Sequence, residues 1–176
     1  MKKKTLSLRG QRGTVLIIGL IFLAMLSLLG VAAYSVATQE ERMSGNTRER
    51  IRAFESAEAS LRDCESVLVT QGALPAFDGS GGAYTAPAAD QPQTYEASGW
   101  NWKDDTKVRV MPTGASISGV ALQPRCILER VGQIPVNEGP NEGQPLKFLV
   151  VYRVTAAGYG ANSSTSTLVQ TTYVRP

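Results

Sequence analysis

Histidine is missing from this 176-residue chain. That removes the side chain that most often carries acid–base chemistry near neutral pH and most often ligates metals. Cysteine is scarce: only Cys64 and Cys126, far apart in sequence. Two such residues cannot form a zinc site by themselves. No serine or cysteine stands beside a recognisable base, and no carboxylate pair sits within a catalytic motif. The glycine cluster at 79–82 lacks the Lys-Ser/Thr and the following helix of a phosphate loop, and Asp78 lacks the carboxylate ladder of a calcium loop. These absences point away from an enzyme, and no cofactor, metal or small-molecule substrate is expected. The competing reading is an enzyme built on an unusual dyad.

Charge is absent over residues 13–39. Five of the 18 basic residues (Lys2, Lys3, Lys4, Arg9 and Arg12) precede that run; without them 13 basic residues face 15 acidic ones, turning a net charge of +3 into −2. The basic balance thus belongs to the start of the chain and implies no nucleic-acid partner. Beyond Glu40 the charges alternate in sign, as in Glu41-Arg42 and Arg48-Glu49-Arg50, the pattern of a solvated helix surface.

What fills the uncharged run is apolar. Residues 14–37 hold only small, apolar and occasional hydroxyl side chains, and a helix of that length covers ~36 Å, enough for a bilayer core of ~30 Å. The basic cluster before it and Glu40-Glu41 after it orient the N-terminus towards the cytoplasm. Three structures carry such a segment. A secretory signal cut after Ser35-Val36-Ala37 would release a soluble periplasmic binding protein. A plain signal anchor would stay uncut. The junction Gly10-Gln11-Arg12-Gly13-Thr14 favours a third. A short basic leader ending in glycine against an apolar helix resembles the prepilin signal, which is cut between Gly13 and Thr14. Removing the charged leader leaves a helix apolar from its first residue, able to pass from bilayer to filament core without burying unpaired charge.

The helix is expected to continue. Residues 39–69 contain no proline, and Ile51, Phe54, Ala57, Leu61, Cys64 and Leu68 recur at helical spacing on one face. One helix over 14–69 would run ~84 Å. Residues 71–99, rich in Pro and Gly, read as loop. Strands are expected over 106–111, 126–131, 146–156 and 165–174, the last two β-branched and joined by a Gly-Asn-Ser turn region. Trp100 and Trp102 fit either loop packing or a contact surface, and Asn162-Ser163-Ser164 reads as turn chemistry.

The motif GVAA…EERMSGN…R…AF…AEASLR over residues 30–62 is similar to the N-terminal region of the PilX family of type IV pilus minor pilins. Residues 152–173 resemble that family's C-terminal strand pair; residues 71–124 match nothing recognised. The resemblance implies an α+β, type IV pilin-like fold, its long N-terminal helix packed on an antiparallel sheet of about four strands. The divisions would be a leader at 1–13, a transmembrane or filament-core helix at 14–38, an amphipathic half at 39–70 and a periplasmic head at 71–176. In an oxidising periplasm, Cys64 on the helix face and Cys126 in a strand are expected to form a disulfide; two unrelated buried thiols are the alternative.

The same resemblance implies a subunit that helps initiate pilus assembly and sits at or near the tip. Its partners would be other minor pilins, the major pilin, the prepilin peptidase, a large tip adhesin and the inner membrane. A minor pseudopilin of a type II secretion system shares the signal and is the nearest alternative. One position departs from the pilin pattern: the fifth residue after the cut, usually Glu, is Ile18. Small residues Gly19, Gly30, Ala32 and Ala33 would let neighbouring helices approach closely in the membrane.

Overall fold

The structure, a computed structural model, describes residues 13–70, 73–136 and 147–175. The expected leader up to residue 12, the loop residues 71 and 72 and the expected strand start at 146 lie outside the described residues.

A single helix, α1 (Thr14–Val69), opens the fold. No proline interrupts it, and at its end Thr70 donates from both its amide and its hydroxyl to the Ser66 carbonyl. The chain divides within α1 into two compact units, Met1–Asn46 and Thr47–Pro176. In the first unit every described side chain from 14 to 37 is exposed.

In the second unit the remaining turns of α1 pack on a sheet of five strands: β1 (Ala83–Thr85), β2 (Arg109–Val110), β3 (Arg125–Val136), β4 (Lys147–Tyr159) and β5 (Ser166–Arg175). The order is β1-β3-β4-β5, with β2 also on β3. β3, β4 and β5 form an antiparallel meander, the expected default for strands adjacent in sequence. β2 pairs antiparallel with β3, but β1 pairs parallel with it, Ala83 opposite Leu128. The sheet is therefore mixed and five-stranded, where about four antiparallel strands were expected. The extra strand lies in a stretch rich in glycine and proline. It is seated by Gly82 at φ 79°, whose carbonyl accepts from the Leu128 amide at 2.7 Å. A Cβ at Gly82 would meet the Arg109 amide nitrogen at 2.5 Å, so only glycine allows this approach.

The helix-facing core joins Leu61, Cys64 and Leu68 to Cys126, Leu128, Tyr152, Val154 and Ala156. The buried positions of α1 are Ala53, Ser56, Ala57, Ser60, Leu61, Cys64 and Leu68. Ile51 and Phe54, expected on that face, are 52% and 48% exposed. Gly158 explains the shift. A Cβ there would run into the Ala53 carbonyl and the Ala57 amide, so β4 lies against the helix backbone and leaves room only for Ala and Ser.

The opposite sheet face is also covered. Residues 93–105 lie over it, held by Arg125 donating to the Trp102 carbonyl at 2.9 Å and by Gln170 donating to Gln93 at 2.7 Å. Ile127 beneath them is fully buried.

Candidate functional site

The first candidate surface is the N-terminal stretch of α1. Val15, Leu16, Phe22, Leu23, Leu28 and Val31 are each more than 60% exposed among the described residues. Among the described residues this helix has the length and composition to cross a membrane. In water each such side chain would forgo roughly 1.5–3 kcal/mol of burial, so the surface demands an apolar surrounding. Two of its hydroxyls are satisfied locally: Ser27 donates to the Leu23 carbonyl at 2.8 Å and Thr38 to the Ser35 carbonyl at 2.9 Å. That is what a lipid or dry-bundle environment requires.

Thr14 is the first helical residue, and the carbonyl of Gly13 accepts from the Ile17 amide at 3.3 Å. Ile18 lies in the first turns, half exposed and within the apolar surface. At ~100° per residue, Gly19, Gly30 and Ala33 fall within about 60° of one another, while Ala32 lies on a different side. A Cβ at Gly19 or Gly30 would meet nothing within 4 Å. Three of the four small residues thus make one bare stripe.

The second unit holds its helix turns at three levels. Nearest Asn46, the Glu49 carboxylate accepts from the Asn162 amide at 3.1 Å, fixing the β4–β5 turn. That turn is closed by Asn162, whose side chain accepts from the Ser164 amide and whose carbonyl accepts from Thr165. One helical stretch on, the Ser56 hydroxyl donates to the Tyr159 carbonyl at 3.1 Å beside Gly158. Next comes the covalent link. Cys64 and Cys126 form a disulfide with Cα atoms 6.6 Å apart, both buried. Adjacent to it, Arg109 of β2 donates to Asp63 of α1 at 3.4 Å.

Behind the sheet lies a polar layer that sequence reasoning missed. Glu129 is fully buried; Arg153 donates to one of its carboxylate oxygens at 2.8 Å and the Thr94 hydroxyl donates to the other. Arg125, also buried, pairs with Asp105 at 2.8 Å and lies over the Tyr159 ring. Burial raises the Tyr159 phenol above its ordinary pKa, an effect the Arg125 charge partly offsets. Tyr84, Trp100, Trp102 and Tyr95 stack edgewise or tilted at 5.6–6.0 Å, so both tryptophans pack within the loop layer. Asp78 and Asp104 serve turns. Each accepts from the hydroxyl and the amide of the residue two positions on, which lowers its pKa. The one sequence signal for Glu129 and Arg153 was their place in strands too apolar to leave a charge unpaired.

Among the described residues the arrangement brings together no nucleophile and base. Both oxygens of Glu129 are engaged, and a hollow of about 600 Å³ beside Arg153 is lined by Ala86, Pro87, Gln93, Glu96 and Val131. Among the described residues no group of His, Cys, Asp or Glu could hold a metal.

Comparison with known proteins fits a chain built as anchor plus head. Residues 12–62 match the family described as PilX N-terminal, and residues 75–175 match the family described as Type IV pilus assembly protein PilX C-term. The second match includes the head segment that resembled nothing in sequence. No curated protein and no solved structure matches the chain. The two matches run in the expected order and cover most of the molecule: this chain belongs to the PilX family, the minor pilins of the type IV pilus.

Proposed function

We propose that this minor pilin helps start pilus polymerisation from the inner membrane and is carried at or near the tip of the filament. The observation that carries the reading is the uncovered apolar surface of α1 with Ile18 in place of an acid. A shaft subunit buries its N-terminal amine among neighbours and benefits from a carboxylate there. A subunit with none ahead of it would only bury a charge without a partner. Family membership supports contact with other pilus components. The proposal adds other minor pilins and the major pilin as helix neighbours, the prepilin peptidase acting between Gly13 and Thr14, and a large tip adhesin carried by the head.

In this reading residues 1–13 are the leader, 14–38 the membrane and filament-core helix, 39–70 its amphipathic continuation and 71–176 the periplasmic head. The Gly19–Gly30–Ala33 stripe is where a neighbouring helix approaches most closely.

Two measurements test this. N-terminal sequencing of the mature chain should read Thr14; Thr38 would mean a secreted protein and Met1 an uncut anchor. The variant Ile18→Glu should be cleaved and inserted normally yet yield fewer surface pili than the parent. Unchanged or increased piliation removes the tip argument and leaves the family untouched.

A further inference from the structure

The two lateral edges of the sheet are treated differently. On one side β2 and β1 cover β3 as far as Arg130, and the Ala86 amide extends that cover by donating to the Arg130 carbonyl. Beyond that point β3 is shielded by its own sequence: a bulge between Arg130 and Gly132, then Pro135, which has no amide hydrogen to offer. These are the devices that stop a strand edge from pairing with another chain. On the other side β5 presents ten residues, Ser166–Arg175, in unbroken register with β4. They include no proline, no glycine, no bulge and no charge before the terminal Arg175. Among the described residues nothing pairs with its outer edge.

The groups on that edge can be assigned. The Gly160 amide donates to the Thr165 carbonyl, which makes Gly160–Thr165 a hydrogen-bonded pair of the β4–β5 ladder. Alternation then turns the backbone of Thr167, Val169, Thr171 and Tyr173 towards β4. The amides and carbonyls of Ser166, Leu168, Gln170, Thr172 and Val174 face outward, and these five are also the residues with exposed side chains. Such a row of alternating donors and acceptors is complementary to one thing, an extended backbone.

We propose that the outer edge of β5 receives an extended strand from a different protein of the pilus assembly, completing the sheet by strand addition. A second copy of this chain is excluded by direction. Two copies closing through β5 would pair antiparallel about a twofold axis normal to the sheet. The turns of α1 packed on each sheet would then run antiparallel in the two copies, whereas subunits of one filament share one direction. This exclusion rests on the pilus-subunit reading above. The incoming strand would place apolar side chains at alternate positions, beside Leu168 and Val174, which are 47% and 43% exposed.

Hydrogen exchange on the full-length chain tests this, comparing the detergent-solubilised subunit with the subunit in assemblies recovered from piliated cells. The amides of Ser166, Leu168, Gln170, Thr172 and Val174 should exchange fast in the free subunit and slow about tenfold or more in the assembly. Those facing β4 should be slow in both. Unchanged fast exchange in the assembly overturns the proposal. So does protection in the free subunit that grows with its concentration alongside a doubled particle mass, which would mean self-pairing. Thr172→Pro removes one outward amide and no β4 hydrogen bond. It should keep the disulfide and the unfolding midpoint yet lose the assembly-dependent protection, whereas Thr172→Ala should retain it. Full protection and full piliation with Thr172→Pro would also overturn strand addition.

Discussion

Within one helix, α1 follows two opposite rules. Over residues 14–37 its large apolar side chains are exposed on every side. From Thr47 on, its contact with the sheet begins with Ala53, Ser56, Ala57 and Ser60 beside Gly158 and continues with Leu61, Cys64 and Leu68, while Ile51 and Phe54 stay outside. Hydrophobicity in the first unit serves surroundings that lie beyond this chain. In the second unit shape comes first, because β4 approaches the helix too closely for bulk. The contrast means that the two units fail for different reasons, and substitutions can separate them.

The largest effect is expected from Arg153→Ala, which leaves Glu129 buried with one oxygen unpaired and should cost about 3–5 kcal/mol. Urea unfolding in detergent, followed by the fluorescence of Trp100 and Trp102, would measure it. The paired replacement Glu129→Leu with Arg153→Met should recover much of that loss; if it does not, the polar layer does more than satisfy itself. Next comes the Cys64→Ser, Cys126→Ser double variant. The bridge spans 62 residues, for which the chain-entropy estimate is about 4 kcal/mol, with measured values often lower. Its unfolding midpoint against the parent, without reductant, gives the number.

Leu61→Ala, on the helix face against the sheet, should cost about 2–4 kcal/mol, while Leu23→Ala should change head unfolding by less than about 0.5 kcal/mol. A large head effect from Leu23→Ala would erase the division between the units. The smallest effect is alkaline. Burial raises the phenols of Tyr84, Tyr95 and Tyr159 above their ordinary pKa, so their stabilising share is complete below the unfolded tyrosine value and is lost as pH climbs through the folded values. Unfolding midpoints should therefore decline above about pH 10, less so in Tyr159→Phe than in the parent.

Much of the architecture was legible beforehand. An unbroken run without proline and with helical spacing marks α1, and β-branched alternation marks β4 and β5. Apolar size puts Ile51 and Phe54 on the core face of the helix, out of phase with the residues that are buried. Here Gly158 reverses that logic, and an isolated glycine after Ala156-Ala157 in a strand was the available clue. β1 was hidden for another reason. Its three residues, set between Gly82 and Pro87, are too few to carry a periodicity, and Leu128, the partner of Ala83, is some forty-five positions away. The polar layer escaped because a strand glutamate reads as solvent-facing until a loop is known to cover it.

The disulfide has a mechanical side. Tension applied between α1 and the sheet passes directly from Cys64 to Cys126 through sulfur. The 62-residue excursion between them lies off the load path, so roughly 200 Å of contour length, at ~3.4 Å per residue, cannot be drawn out while the bond is intact. A sheet tethered this way passes a pull on to the helix turns beneath it almost without lengthening, as a short coupling does.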